Sequence, residues 1–217
     1  MKPLIGVVGG MGPLASAEFL RTIYRMSPVE REQDAPRILL WSDPAVVDRS
    51  TAIAHGSIGP LCKSLAHSIE QLLGAGAERI VVACVTAHHA IAHLPMELSQ
   101  YCVSLVDIVH EELAARRTPH LLLCTNGTRK ADVFPSNRRL VLPSDADQER
   151  LHALIYGLKQ HRGLPETVEF VHTLLDRYEV PGFVAGCTEL HLVAAFLGEA
   201  ALDPLTLVAR RIVAGGI

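Results

Sequence analysis

Short apolar runs that end at small residues alternate along the chain with amphipathic stretches. The run at residues 4–8 leads into a glycine-rich turn, and a helical pattern follows it. Between Ile58 and Leu73 the apolar positions recur every three or four residues, which is the period of a helix with one buried face. We predict strands at 4–8, 37–41, 79–83, 120–123, 140–142 and, as the last one, 182–185, and a strand or strand end at 103–106. We predict helices at 17–26, 58–73, 107–117, 146–160 and 167–178.

The order of these elements indicates the fold class. Strand, helix, strand units favour a parallel sheet with helices on both faces, because parallel neighbours need a long crossover connection. After Pro95 the alternation starts again. We therefore expect an α/β protein made of two similar halves.

The composition is that of a globular protein and argues against several other classes. The 217 residues suffice for one domain or two small ones, and 49% hydrophobic against 20% charged residues, with mean hydropathy +0.25, is too apolar for a disordered chain. The long apolar segment near the C-terminus contains Glu199, Asp203 and Pro204, so no membrane span is expected. A net charge of -3 without long Lys/Arg runs argues against nucleic acid as a partner.

The five cysteines are widely spaced and form no Cys-x-x-Cys pair. This usage is typical of reduced thiols, and it predicts a cytoplasmic protein without a disulfide framework or a zinc site. The N-terminus has some features of a signal peptide, but its apolar core is short and is followed by glycines, so no signal peptide is expected. We interpret Cys62, on a helical apolar stripe, and Cys102, beside a strand, as packing residues.

Cys84 and Cys187 are the strongest chemical signal in the sequence. Each follows a predicted strand directly, in the segments Cys84-Val85-Thr86-Ala87-His88 and Cys187-Thr188-Glu189-Leu190-His191. Ligands of open α/β sheets bind beyond the carboxyl ends of the strands, and two thiols on opposite faces of one carbon can remove and return its proton. The alternative is that small apolar cysteines simply pack at strand ends. The matching context of both cysteines favours a pair of bases.

Two other patterns are weaker. The segment 10–15 fits a G-x-G-x-x-A dinucleotide fingerprint, but Pro13 removes a backbone N–H from the loop and the acidic residue after the second strand comes late. His89 and His93 have the i, i+4 spacing of metal ligands, but no Glu completes a zinc motif, so we expect a solvated helix face and no metal.

Several segments together resemble the aspartate/glutamate racemase family, and in particular its aspartate racemase branch. In family order, the matching pieces are 9–15, Asp48-Arg49, 84–88, 125–128, Ile155-Tyr156 with Lys159, 186–190 and Asp203. The resemblance implies two Rossmann-like lobes, related by a pseudo-twofold axis, with the active site in the cleft between them. It also implies racemisation of an acidic amino acid without metal or pyridoxal, by a two-cysteine mechanism.

The resemblance further implies roles for individual residues. Cys84 and Cys187 are the implied acid and base. Arg49 and Lys159 are the implied carboxylate anchors, although the residues alone also fit an ion pair of Arg49 with Asp48 and a solvated Lys159. The remaining implied substrate contacts are Met11, Gly12, Thr86, Asn126, Gly127, Thr128, Thr188 and Glu189, of which the two threonines after the cysteines also fit helix caps.

The sequence departs from the family pattern after the first cysteine. The family usually has an asparagine there, and Val85 can make no side-chain hydrogen bond. Our hypothesis is that Val85 lines the site and weakens activity on free aspartate and glutamate. Replacing Val85 by Asn would then raise that activity. The alternative is that Val85 points into the core. Milder departures are Cys124 in place of a glycine and Phe134 as the aromatic residue near the end of the same loop.

The sequence thus predicts a cytoplasmic, cofactor-independent amino-acid racemase with a small-molecule substrate. We expect one lobe over 1–97 plus 200–217 and the other over 98–199, and a homodimer is compatible with the prediction. Three alternatives stay open: a cofactor-free isomerase or decarboxylase of the same fold, a dinucleotide-dependent oxidoreductase, and a ligand-binding protein without turnover.

Overall fold

The structure, a computed structural model, describes residues 2–135 and 137–217. Its strands are β1 (Leu4–Gly9), β2 (Arg37–Ser42), β3 (Arg79–Val82), β4 (Cys102–Val103), β5 (His120–Cys124), β6 (Leu140–Val141), β7 (Phe183–Gly186) and β8 (Ala201–Leu202). Its helices are α1 (Pro13–Arg25), α2 (Arg49–Ala54), α3 (Gly59–Gly74), α4 (His88–Ile91), α5 (Met96–Ser99), α6 (Leu105–Ala115), α7 (Asn126–Lys130), α8 (Asp145–Lys159), α9 (Leu164–Arg177), α10 (His191–Leu197) and α11 (Pro204–Val213). Within these residues, no helix is long and apolar enough to cross a membrane.

The strands form two parallel sheets of four with the same topology. The first has the order β2-β1-β3-β4 and the second the order β6-β5-β7-β8, and every pair of neighbours is parallel. The second half therefore repeats the strand order of the first. The predicted fold class, two similar α/β units with parallel sheets and flanking helices, is confirmed.

The sheets share one apolar layer. Along β5, Leu122 and Cys124 belong to a cluster that also contains side chains of β1, α1, α6 and α11, whereas Leu121 and Leu123 pack with α8 and α9 on the opposite face. This alternation is the period of two that a strand buried on both faces shows. Because α1, α6 and α11 contact both sheets through one cluster, the two halves are packed against each other over a continuous core.

Two element predictions were wrong. The strand expected at 103–106 ends at Val103, because the Ser104 hydroxyl accepts a hydrogen bond from the Asp107 N–H at 3.1 Å and caps a helix that begins at Leu105. The segment 182–185 is not the last strand, since β8 follows it. Helix α11 was not predicted, and it begins after Asp203, whose side chain accepts from two backbone N–H groups of its first turn.

Two short strands also pair with a different sheet from the one that the expected division of the chain assigns to them. Strand β4 lies beyond residue 97 but pairs with β3 of the first sheet, and β8 lies beyond residue 200 but pairs with β7 of the second. In each half the chain makes one more parallel crossover before its last helix. The division into 1–97 plus 200–217 and 98–199 stays a prediction, with these two strands as its exceptions.

Candidate active site

Cys84 lies just past the end of β3 and is 4% exposed. The side chain of Arg49 reaches it from the first position of α2. Arg49 is itself buried, and its guanidinium donates to the carbonyl oxygens of Met11, at 2.9 Å, and Val47, at 3.2 Å. Burial lowers the pKa of Arg49, but the charges of Cys84, Asp48 and Glu189 outweigh this effect and raise it. Arg49 is therefore not a surface ion pair.

Cys187 lies at the equivalent place after β7 and begins the 3₁₀ turn Thr188–Leu190. Its Sγ donates a hydrogen bond to the Glu189 Oε2 over 2.7 Å. Burial, and then the negative charge of Glu189, raise the pKa of the Cys187 thiol well above its ordinary value, while Lys159 opposes this effect. The thiol is thus held in its protonated form against a carboxylate.

Lys159, the last residue of α8, connects the second thiol to the first half of the chain. Burial lowers the pKa of its ammonium group, but the charges of Cys187 and Glu189 raise it overall. The Nζ atom lies 3.8 Å from the Asp48 carboxylate and 4.2 Å from the centre of the Tyr156 ring. Since Arg49 also interacts with Glu189, the two thiols and the two cations form one electrostatic group.

Three buried polar atoms of this group have no hydrogen-bond partner within the described residues: Arg49 Nε, Thr188 Oγ1 and Glu189 Oε1. Buried polar groups are nearly always paired, because an unpaired one loses its hydration without compensation. Two potential donors, Arg49 Nε and Thr188 Oγ1, and one acceptor, Glu189 Oε1, are therefore available to a polar ligand next to the thiols.

A cluster of three threonines joins the strand ends of the two halves. The Thr86 hydroxyl lies 2.8 Å from that of Thr128 and 3.2 Å from that of Thr125, and the last two are 3.1 Å apart. Thr125 caps α7, whereas Thr86 precedes the cap residue of α4. Thr86 and Thr128 therefore bind each other across the interface between the halves.

Asn126 and Gly127 are engaged by protein groups. The Asn126 backbone N–H donates to His152, and its side-chain amide donates to Glu149 and accepts from Gln148. A Cβ on Gly127 would lie 2.6 Å from the Cα of Ser50, so only glycine permits this approach of α7 to α2. The resemblance implied both residues as substrate contacts, and in the structure they hold α7 against its neighbours.

The loop before α1 faces Glu189. The Met11 side chain is buried in the first half, and its carbonyl holds Arg49. A Cβ on Gly12 would lie 2.7 Å from Glu189 Oε1, so glycine leaves room for that carboxylate. A carboxylate over this loop repels a phosphate, and the arrangement therefore does not support the dinucleotide alternative.

Val85 does not line the site. It is 1% exposed and belongs to the apolar cluster shared by the two sheets. The hypothesis that its methyl groups face the substrate is wrong, because the residue after Cys84 points away from the thiol into the core. Cys124 lies in the same cluster, and burial raises its pKa to about 12 despite the opposing charge of Arg129.

The remaining sequence signals fall outside this group. Burial raises the pKa of Cys102 to about 11, and the Cys62 thiol donates to a backbone carbonyl on α4. His89 and His93 contact each other edge to face with ring centres 5.3 Å apart, and no set of three metal-ligating side chains occurs in the described part of the chain. The resemblance matched Tyr156 without giving it a role at the site, and its hydroxyl donates to Asp48 at 2.8 Å. Its spacing of three residues from Lys159 on one helix was the available signal.

Solved structures of similar fold include racemases. An aspartate racemase from Picrophilus torridus superposes with a TM-score of 0.85 at 23% identity, covering 99% of this chain and 94% of the other. An aspartate racemase homologue from Pyrococcus horikoshii gives 0.72 at 24% identity, with 99% and 98% covered. Glutamate racemase from Thermus thermophilus gives 0.64 at 19% identity, with 98% and 80% covered. At these identities the likeness establishes the fold.

The family assignment comes from the sequence itself. The model of the Asp/Glu/Hydantoin racemase family matches residues 8–212, which is nearly the whole chain and includes both thiol segments. The resemblance inferred from the motifs is confirmed. This protein belongs to the Asp/Glu/Hydantoin racemase family and is a racemase.

Proposed function

We propose that the protein racemises an acidic amino acid, aspartate before others, with Cys84 and Cys187 as its two bases. The observation that carries the proposal is the arrangement of charge: each buried thiol has a cation beside it, the buried Arg49 for Cys84 and the partly buried Lys159 for Cys187. The site residues are candidates on this geometry, and the substrate preference is argued from their charges.

The proposed reaction moves one proton to the substrate and one from it. One sulfur, as thiolate, takes the Cα proton, so that the C–H bond breaks and an S–H bond forms, and the electron pair stays on the substrate. The thiol on the opposite face gives its proton to the same carbon, so that an S–H bond breaks and a C–H bond forms. The configuration is inverted, and each sulfur ends in the protonation state from which the other began.

The surroundings of the two sulfurs suit these roles. The Arg49 guanidinium beside Cys84 stabilises negative charge on sulfur, whereas Cys187 carries a proton shared with Glu189. In the reverse direction the Cys187 thiolate takes the Cα proton, and the protonated Cys84 gives its proton to the opposite face of that carbon. Glu189 favours the protonated form of Cys187, in addition to the substrate contact that the sequence implied.

The number of cations favours a dicarboxylic substrate. An α-amino acid with a side-chain carboxylate brings two negative charges, and Arg49 and Lys159 supply two positive ones. A neutral amino acid would bring only one carboxylate to these two cations. The unpaired Thr188 Oγ1 and Glu189 Oε1 are suited to accept from the substrate ammonium group.

Proton NMR of L- and D-amino acids in deuterated water tests the proposal. We expect loss of the Cα proton signal with both enantiomers of aspartate, without added cofactor. Cys84→Ala and Cys187→Ala should each abolish racemisation, and Cys62→Ala, which removes a cysteine from α3, should retain it. Full racemisation by either active-site variant would refute the two-thiol assignment. Exchange confined to neutral amino acids would refute the acidic substrate.

The proposal includes the cytoplasm as the site of action. All five cysteines are free, and bases of this kind must remain reduced to function. Activity should accordingly fall under oxidising conditions and return with a thiol reductant. Association into a homodimer stays a prediction that sedimentation of the purified protein checks.

A further inference from the structure

A histidine stands four residues after each candidate base: His88 after Cys84, and His191 after Cys187. Each contacts the N-terminal end of the helix that follows the edge strand of its own half. For His88 this helix is α6, which follows β4, and for His191 it is α11, which follows β8. The topology of the sheets makes these two positions equivalent.

His88 connects Cys84 to α6 through both ring nitrogens. Its Nδ1 lies 3.0 Å from the Cys84 carbonyl oxygen, and its Nε2 accepts from the Leu105 N–H at 3.1 Å. Since a carbonyl can only accept and an N–H can only donate, the ring is neutral and carries its proton on Nδ1. Burial also lowers the pKa of His88, which favours the neutral ring.

His191 connects the second thiol turn to α11 and α1. Its Nδ1 lies 2.5 Å from the Asp203 carboxylate, and its Nε2 lies 2.9 Å from the Thr22 hydroxyl. Asp203 is the cap residue of α11, and the His191 backbone N–H closes the 3₁₀ turn that contains Glu189. Both His191 and Asp203 are buried, so the contact is an internal one.

We propose that His88 and His191 are a matched pair of positioning residues, each of which holds the backbone of one thiol segment against the helix that ends its half of the molecule. The inference rests on the proposed function of Cys84 and Cys187 but not on the identity of the substrate. Neither ring touches the reacting atoms in this arrangement. Each acts through the placement of a sulfur, and a small displacement of a catalytic group costs a large factor in rate.

Glutamine and asparagine substitutions separate the two ring nitrogens of His88. An asparagine amide falls close to the Nδ1 position and can still donate to the Cys84 carbonyl, whereas a glutamine amide falls close to Nε2. His88→Gln should therefore lower kcat by about tenfold to 100-fold with a smaller change in KM. His88→Asn should keep most of the activity. His93→Gln, on the exposed side of the same segment, is the matched control.

Alkylation of each cysteine, followed by mass spectrometry of the native protein, gives a readout that needs no turnover. Because Cys84 and Cys187 are each 4% exposed, a loosened segment should make its own thiol react faster, by about fivefold or more. His88→Gln should accelerate Cys84 and leave Cys187 unchanged. His191→Gln, which leaves Asp203 without its partner, should accelerate Cys187 and leave Cys84 unchanged. His191→Asn and Thr22→Val lose only the Thr22 contact and should have smaller effects.

The two thiols are therefore each other's internal reference. Equal alkylation ratios in His88→Gln and His93→Gln would overturn the proposal for Cys84, and equal acceleration of both thiols by either histidine variant would indicate general destabilisation and overturn the pairing. If His88→Gln or His191→Gln does not fold, the asparagine variants decide: native thiol ratios support positioning, and uniform acceleration refutes it. A protein that shows the predicted ratios without racemising aspartate would refute the proposed function alone.

Discussion

The thiol of Cys187 donates a hydrogen bond to the carboxylate of Glu189 over 2.7 Å, two residues along the same turn. Cys84, at the equivalent position of the first half, instead has the guanidinium of Arg49 beside it. The repeat of the fold thus places different groups at its two sulfurs: a cation at Cys84, and a carboxylate together with the cation Lys159 at Cys187. A pair of bases that begins a reaction in different protonation states needs such a difference.

Removing the charge of Glu189 should alter Cys187 specifically. Burial and the Glu189 charge both raise the pKa of Cys187, so Glu189→Gln should lower that pKa, and alkylation of Cys187 should begin at lower pH. Racemisation should slow by about tenfold or more, because the carboxylate that favours the protonated form of Cys187 is lost. The pH dependence of alkylation, measured separately at each cysteine, checks this. Glu199→Gln, at an exposed carboxylate, is the control, and an unchanged Cys187 curve would contradict the prediction.

Arg49→Lys should weaken recognition of a dicarboxylic substrate. Lysine keeps the charge but loses the planar fork that holds Met11 and Val47 and leaves Nε facing the site. We expect kcat/KM for aspartate to fall by about tenfold to 100-fold, which corresponds to the roughly 1.5 to 3 kcal/mol of a hydrogen bond to a charged group. Steady-state kinetics with the exposed Arg25→Lys variant as control measure this. Equal loss for neutral amino acids would argue against a carboxylate anchor.

Val85→Asn should destabilise the protein without raising its activity. The side chain lies in the apolar layer between the sheets, where an amide would be buried without a partner. The free energy of unfolding should fall by about 1 to 3 kcal/mol, which thermal or denaturant unfolding measures. The same change at the exposed Val29 is the control. Increased aspartate turnover with an unchanged melting temperature would restore the earlier view of this residue.

The pair of His191 and Asp203 should give stability a defined pH window. Burial lowers the pKa of His191, but the hydrogen bond and charge of Asp203, helped by Glu18, raise it overall; burial raises the pKa of Asp203, but His191 and Thr206 lower it overall. A histidine with a raised pKa stabilises the folded protein fully below its unfolded pKa of about 6.5, and this stabilisation is lost as pH rises through the folded pKa. A carboxyl group with a lowered pKa stabilises the folded protein fully above its unfolded pKa of about 3.9, and this stabilisation is lost as pH falls through the folded pKa.

The contribution of this pair is therefore complete between about pH 4 and 6.5. Asp203→Asn should lower the melting temperature more within this window than at alkaline pH, where His191 loses its proton in both proteins. Melting curves of the two proteins from pH 4 to 9 measure the difference. An offset that does not vary with pH would indicate that only the helix cap, and not the charge, has been lost.

The element pattern was predictable where the buried faces are regular. Helix α3 has apolar positions at the helical period, because it buries one face. Strands β1, β3, β5 and β7 are short, nearly continuous apolar runs, because they are buried on both faces. Short elements were not predictable in this way. β8 has two residues, too few to show a period. Helix α11 has ten residues, and Asp203 followed by Pro204 is the usual start of a helix, so its sequence signal was present and was overlooked.

The sequence by itself determined the family, the order of the long strands and helices, and the two thiol segments, because these depend on local composition and on motifs that are contiguous in the chain. Tertiary structure alone decided what surrounds each thiol. Arg49 reaches Cys84 from 35 positions away, and Lys159 reaches Cys187 from the end of another helix. It also decided that Val85 faces the core, because the packing of the second sheet determines which side of this strand end is covered by protein. Charges and burial depend on distances in space, which no local pattern encodes.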